Sequence, residues 1–261
     1  MIKIENLKKQ FGETIACDIP SFTVNDGDVV GLVGNNGAGK TTLFRLLLDL
    51  LKPDSGTVMI NGINPAESEE WKPFTGAHID EGFLIDYLTP EEYFSFIGKI
   101  SDLTPAEVES RLNDFERFAG DEVLGQKKLI RNLSAGNKQK VGIIAALMRK
   151  PSLVILDEPF NFLDPSGQNI LKHLITDYNH KTGATIIISS HNLQHTIEVS
   201  TRIALLEKGR IIKDLANENQ SAKAELTAYF EVDETQDTAH KMAEDFNNDD
   251  TQESVSEESK V

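Results

Sequence analysis

The stretch Gly27 to Thr42, "GDVVGLVGNNGAGKTT", constrains the fold of this chain more than any other. "DVVGLV" is a short, nearly continuous apolar run, the pattern of a strand buried on both faces. "GNNGAGKTT" follows it directly and fits the spacing GxxxxGK[ST], and a helical run begins at once. Strand, glycine-rich turn and helix in that order form a phosphate-binding loop, in which backbone N–H groups turn inward around an anion at a helix start. The candidate phosphate-binding set is Gly34, Asn35, Asn36, Gly37, Ala38, Gly39, Lys40, Thr41 and Thr42. Lys40 has the reach for β- and γ-phosphates, and the Thr41 hydroxyl has the chemistry to meet Mg²⁺.

A second anchor, "LVILDEP", supplies what such a loop lacks. Asp157 closes a four-residue apolar strand, where a Mg²⁺-linked carboxylate would stand beside the loop. Glu158 follows it and is suited to polarising water. No guanine-reading NKxD-like tetrad ends a suitable strand, which favours ATP over GTP.

Around these anchors the chain alternates. "IKIEN", "TIACDI" and "SFTVN" read as opening strands parted by Gly12 and Pro20, and a helix is expected from about Gly39 to Leu51. From Trp71 to about Lys128 the pattern turns mostly helical, with helices expected over Pro90 to Lys99 and Pro105 to Phe118. Beyond Ser134 come a helix to Arg149, the strand "LVILD", a helix after Pro165, the strand "TIIIS", a helix after His191 and the strands "RIALLE" and "RIIKD". Strands alternating with helices, several of them continuously apolar, predict an α/β fold with a largely parallel central sheet covered on both faces.

The formal charge of −16 disfavours direct nucleic-acid binding, since a phosphate backbone attracts a positive surface. Much of the excess lies after Tyr229: residues 231–261 hold 11 acidic residues against 2 lysines and read as a disordered acidic tail. The single cysteine, Cys17, excludes an intrachain disulfide. No run approaches the 18 or so apolar residues of a membrane-spanning helix.

The ordered set "GNNGAGKTT", "LSAGN", "LVILDEP", "FLDP" and "SSH" resembles the nucleotide-binding subunit of an ATP-binding cassette (ABC) transporter over roughly Met1 to Leu215. The resemblance implies a P-loop NTPase core with an antiparallel N-terminal β subdomain and a helical insert at about residues 78–150, all within a domain 1–230. It also implies a head-to-tail dimer, with each ATP held between the phosphate loop of one copy and the signature loop of the other. Ser134, Ala135 and Gly136 would be that signature, acting in trans. Ser134 is equally a candidate N-cap. Asp164 matches the family's dimer-contact aspartate, with helix capping ahead of Pro165 as the competing reading. His191 matches the switch histidine that contacts the γ-phosphate, and Phe11 stands where an aromatic stacks on adenine.

Two departures stand out. Where the family usually has a glutamine before the helical insert, "GAHIDEGF" offers Asp80 with Glu81 beside it, an acidic variant resembling the bacteriocin-protection-like export branch. Asp80 is therefore a candidate third Mg²⁺ contact, beside Thr41 and Asp157. In the signature, Ala135 and Asn137 replace the common glycine and glutamine, and Phe162 replaces a small residue. The resemblance implies an active ATPase on the cytoplasmic face of the membrane, powering a separate integral permease and pointing to export. The alternatives are a non-transport ATPase of the same superfamily acting on ribosome or DNA, and a weakly hydrolysing regulatory ATP-binding module.

Overall fold

The computed structural model describes residues 1–229. They fall in two units, Met1–Gln220 and one beginning at Ser221, of which 223–229 are helical. The acidic stretch 231–261 lies outside the described residues.

Two sheets build the first unit. Strands β1 (Ile2–Phe11), β2 (Thr14–Val24) and β4 (Ser55–Ile60) form an antiparallel sheet in the order β2-β1-β4. Alternation along β1 buries Ile2 and Ile4, and a break at Asn6 (φ 50) brings Leu7 into the same core. The expected break at Pro20 is absent: β2 runs through it. Proline lacks the N–H a central strand needs, but β2 is an edge strand, and an edge tolerates it.

The larger sheet contains β3 (Val29–Val33), β5 (Thr75–His78), β6 (Leu153–Leu156), β7 (Thr185–Ser190), β8 (Arg202–Glu207) and β9 (Arg210–Ala216), in the order β5-β6-β7-β3-β8-β9. Every pairing is parallel except the β8–β9 hairpin, which turns through Lys208 and Gly209, both at positive φ. Val154 and Leu156 face one core with the helices α5 (Ala135–Leu147) and α6 (Pro165–Thr182). Leu153 and Ile155 face the other, with β1 and α1 (Lys40–Leu47). The sheet is thus covered on both faces, as the apolar strands demand.

The region after Trp71 differs from expectation. Thr75–His78 is a strand of the central sheet, not the start of a helical insert, and pairs in parallel with β6 from Thr75↔Leu153 to His78↔Leu156. "TGAH" has no apolar run to announce a strand; its pairing and its contact with α5 make it one. Helix α2 (Pro90–Lys99) matches its expected span, and α3 (Pro105–Asn113) begins as expected. Both start with capping boxes, Thr89 with Glu92 and Thr104 with Glu107. Helix α3 stops at Asn113, where Asn and Asp favour turns, and α4 (Glu116–Ala119) resumes with Phe118 buried. Helix α1 ends at Leu47, short of Leu51, with Asp49 in the left-handed region.

Helix α5 lies close on β5 because two glycines allow it. A Cβ at Gly76 would stand 2.0 Å from the Ala146 carbonyl oxygen, and one at Gly142 would stand 2.2 Å from the His78 ring. Gly76→Ala would therefore push helix off strand. It is expected to lower stability by roughly 1–3 kcal/mol, read as a lower urea midpoint at an unchanged slope. An unchanged midpoint would show that the helix yields freely.

Candidate active site

The phosphate loop runs from the end of β3 into α1. Gly39, at φ 106, holds the N-cap position of α1, and a Cβ there would stand 2.3 Å from the Ala16 carbonyl oxygen. No side chain caps this helix, so its first N–H groups remain for an anion. Lys40 is buried, and its Nζ donates to the carbonyls of Gly34 (2.6 Å) and Asn35 (3.3 Å). It also lies 3.3 Å from Glu158 Oε1. The loop closes on itself through Ala38 N–H to the Asn35 carbonyl. Asn36, Gly37 and Thr42 belong to the same turn and the first turn of α1.

Asp157 and Glu158 leave the end of β6 beside this loop. The Thr41 hydroxyl donates to Asp157 Oδ2 at 2.5 Å, and the Ser189 hydroxyl donates to Asp157 Oδ1. Burial pushes the Asp157 carboxyl above its ordinary value, and the Ser189 and Thr41 hydrogen bonds offset part of that. These oxygens are hard donors suited to Mg²⁺, which characteristically takes one or two carboxylates and completes its shell with phosphate and water. No cluster of three or more His, Cys, Asp or Glu able to hold a metal exists among the described residues. The protein oxygens here fit an ion delivered with a nucleotide.

Glu158 adopts φ 46, a left-handed conformation that costs a non-glycine residue on the order of 1–3 kcal/mol and persists only where neighbours enforce it. Five groups do so. Its N–H donates to Ser189 Oγ (2.8 Å), its carbonyl accepts from both the Asn161 N–H (3.1 Å) and Gln139 Nε2 (3.2 Å), and its Oε2 faces both the backbone N–H of His191 (3.2 Å) and His191 Nδ1 (2.8 Å). The carboxylate is thus spanned by Lys40 on one oxygen and His191 on the other. His191 itself follows β7 and is half exposed.

The remaining expected residues lie apart from this cluster. Ser134 N-caps α5, accepting from the Asn137 N–H at 3.2 Å, and it is exposed, as is Ala135. Gly136 abuts the loop before α6, and a Cβ on it would stand 2.5 Å from the Phe162 carbonyl oxygen. Asp164 N-caps α6 through Gly167 N–H (3.1 Å). Phe162 is 72% exposed at φ 63, a large aromatic in a conformation that suits glycine. Phe11 is exposed at the tip of the β1–β2 hairpin, with Lys9 Nζ 5.5 Å from its ring centre, so its outer face is open for stacking.

Asp80 is engaged away from Thr41 and Asp157. Its Oδ1 accepts from the Gly82 N–H (2.8 Å), and its Oδ2 pairs with Arg45 of α1 (3.2 Å). Glu81 pairs with Lys138 of α5 (3.2 Å). The acidic pair therefore ties the segment after β5 to both α1 and α5.

Sequence reasoning passed over Ser189, Gln139 and His78. Ser189 carried the clearest signal, a buried polar residue directly after the apolar run Ile186 to Ile188 and two positions before His191. His78 and Gln139 are buried and bonded to each other, which only the packing of α5 on β5 reveals.

The ABC transporter family profile matches residues 17–161. A bacitracin transport ATP-binding protein of Enterococcus faecalis is 34% identical over 82% of this chain and 69% of its own length. A methionine import ATP-binding protein of Rhizobium johnstonii is 33% identical over 82% of this chain, which spans only 60% of that protein. Among solved structures, a dimeric ATP-binding cassette in a post-hydrolysis state, bound to ADP and Pi, superposes with a TM-score of 0.75. It is 22% identical, covers 84% of this chain and 99% of its own, and shares the fold.

Proposed function

The chain belongs to the ABC transporter ATP-binding family, and from that premise we propose that two copies close head to tail on ATP to drive a separate membrane exporter. As a member of that family it is an ATP-binding, ATP-hydrolysing chain of a membrane transporter. The observation that carries the reading is the convergence of Lys40, Thr41, Asp157, Glu158 and His191 in one chain of contacts.

Each group has its task. Lys40 and the free N–H groups of α1 bind the phosphates; Thr41 and Asp157 would hold Mg²⁺, which would supply charge neutralisation for the transferring phosphoryl group. Glu158 takes a proton from the attacking water, and His191 holds both Glu158 and the γ-phosphate side of the site. Phe11 stacks on adenine. Ser134 is exposed at the start of α5, beside Gly136, and in this reading the nucleotide they meet is the one bound to the second copy, with Asp164 on the same contact face.

No helix among the described residues is long and apolar enough to cross a membrane, and the permease of this reading is a separate polypeptide. A groove of about 600 Å³ supports such a partner. Its walls include Leu50, Trp71, Phe83, Tyr93, Ile97 and Ile100, and Leu50, Phe83 and Ile100 are at least half exposed. An apolar groove of this kind suits a short helix of an integral protein, held at the cytoplasmic face of the membrane. Export rests on Asp80 in place of the family's glutamine.

Fractionating cells that express the tagged full chain tests this reading. The chain is expected in the membrane fraction and is expected to leave it when Phe83→Glu and Ile100→Glu are combined. Equal recovery in the soluble fraction for both proteins would remove the permease from the proposal.

A further inference from the structure

His78 makes contacts that its position before the acidic pair does not require. Its backbone carbonyl accepts from the Asp157 N–H at 2.9 Å. Its ring, buried against Gly142, has Nε2 3.1 Å from Gln139 Oε1, and Gln139 Nε2 in turn donates to the Glu158 carbonyl at 3.2 Å. The direction of this relay follows from chemistry. A carbonyl only accepts, so the Gln139 amide must present its NH₂ to Glu158 and its oxygen to His78. His78 Nε2 must then carry a hydrogen. One residue of β5 therefore reaches both members of the catalytic dipeptide, Asp157 through its main chain and Glu158 through Gln139.

We propose that His78 is a positioning residue for ATP hydrolysis: through Gln139 it holds the Glu158 carbonyl, and so aims the catalytic carboxylate in register with the signature helix. The proposal deepens the ATPase reading above and rests on it. Three observations support it together. Glu158 sits in a left-handed conformation that needs outside enforcement. Gln139 belongs to α5, the helix that begins at Ser134. Gly142, one turn after Gln139, admits the imidazole where any Cβ would collide with it. A shift of α5 relative to β5 is thereby transmitted to the Glu158 backbone. Lys138 with Glu81, and Arg45 with Asp80, tie the same segment to α5 and α1. Leucine would fill the volume of His78 equally well, so the proposal concerns its hydrogen bond and not its bulk.

The test uses steady-state ATP hydrolysis by the full chain. His78→Leu and Gln139→Leu are each expected to lower kcat about tenfold with KM for ATP unchanged. The double variant is expected to lose little more than either single one, because both interrupt one path. His78→Gln restores a donor near the Nε2 position and is expected to keep at least about half of wild-type kcat. Should His78→Leu fail to fold, Gln139→Glu decides. It keeps an acceptor for His78 but turns a carboxylate oxygen toward the Glu158 carbonyl, and is expected to be as slow as Gln139→Leu. Single variants within twofold of wild type, losses that multiply, or His78→Gln as slow as His78→Leu would overturn the proposal. Glu158→Gln run alongside separates the two levels. If it abolishes turnover while these variants stay within twofold of wild type, this inference alone falls; if it leaves turnover intact, the role of Glu158 as base falls with it.

Discussion

Replacing Glu158 by glutamine is expected to lower ATP turnover by about 10²- to 10⁴-fold, the usual worth of a positioned general base, while ATP binding stays within a few-fold of wild type. The separation follows from the geometry. Glutamine keeps the length of the side chain and can still accept from the His191 N–H, but it cannot take a proton from water. The phosphate loop is untouched, because Lys40 keeps its bonds to the Gly34 and Asn35 carbonyls. Lys40 loses only its 3.3 Å pairing with the Glu158 carboxylate. With hydrolysis blocked and binding preserved, ATP is expected to hold the variant as a dimer, read as a shift to twice the mass in light scattering on adding Mg²⁺ and ATP. A variant that keeps a tenth or more of wild-type turnover would move the role of base to another group. One that no longer binds nucleotide would show that the carboxylate shapes the loop instead.

The sequence discloses different parts of this site for different physical reasons. The phosphate loop is legible because its parts are local: strand, glycines, lysine and helix follow one another within Gly27 to Thr42, and the spacing alone specifies the geometry. Asp157 and Glu158 are legible as an acidic turn after an apolar strand, and their partnership with Thr41 follows from parallel strands that end on one side of a sheet. The strand Thr75–His78 escaped because its cause is not local. Four residues with one apolar side chain extend only because β6 offers a parallel edge and α5 settles over Gly76. The continuity of β2 through Pro20 escaped for the same reason, since only sheet order shows that this strand lies at an edge. The partner of Asp80 is hidden in the same way. That partner is Arg45, 35 positions earlier, and nothing in "GAHIDEGF" announces that pairing.

A substitution at Ser134 separates the two roles that its position allows. Ser134→Asp preserves the helix cap, because aspartate caps as well as serine does, but adds a negative charge where a partner's γ-phosphate would approach. If Ser134 only caps α5, turnover stays near wild type. If it faces the second copy's nucleotide, like-charge repulsion of about 3 kcal/mol is expected to cut turnover roughly 100-fold. Lys40→Met is expected to be inactive for an independent reason, having lost the phosphate-binding cation. Mixing these two inactive chains then gives a result that neither predicts alone. In a head-to-tail pair, one composite site receives both lesions and the other receives none: it combines Lys40 of the Ser134→Asp chain with Ser134 of the Lys40→Met chain. Random pairing at equal amounts makes about half of the dimers mixed, each with one intact site, so turnover is expected to recover to about a quarter of wild type. No recovery from mixed dimers whose formation is demonstrated would mean that each chain completes its own site. Ser134 would then act on the nucleotide of its own chain.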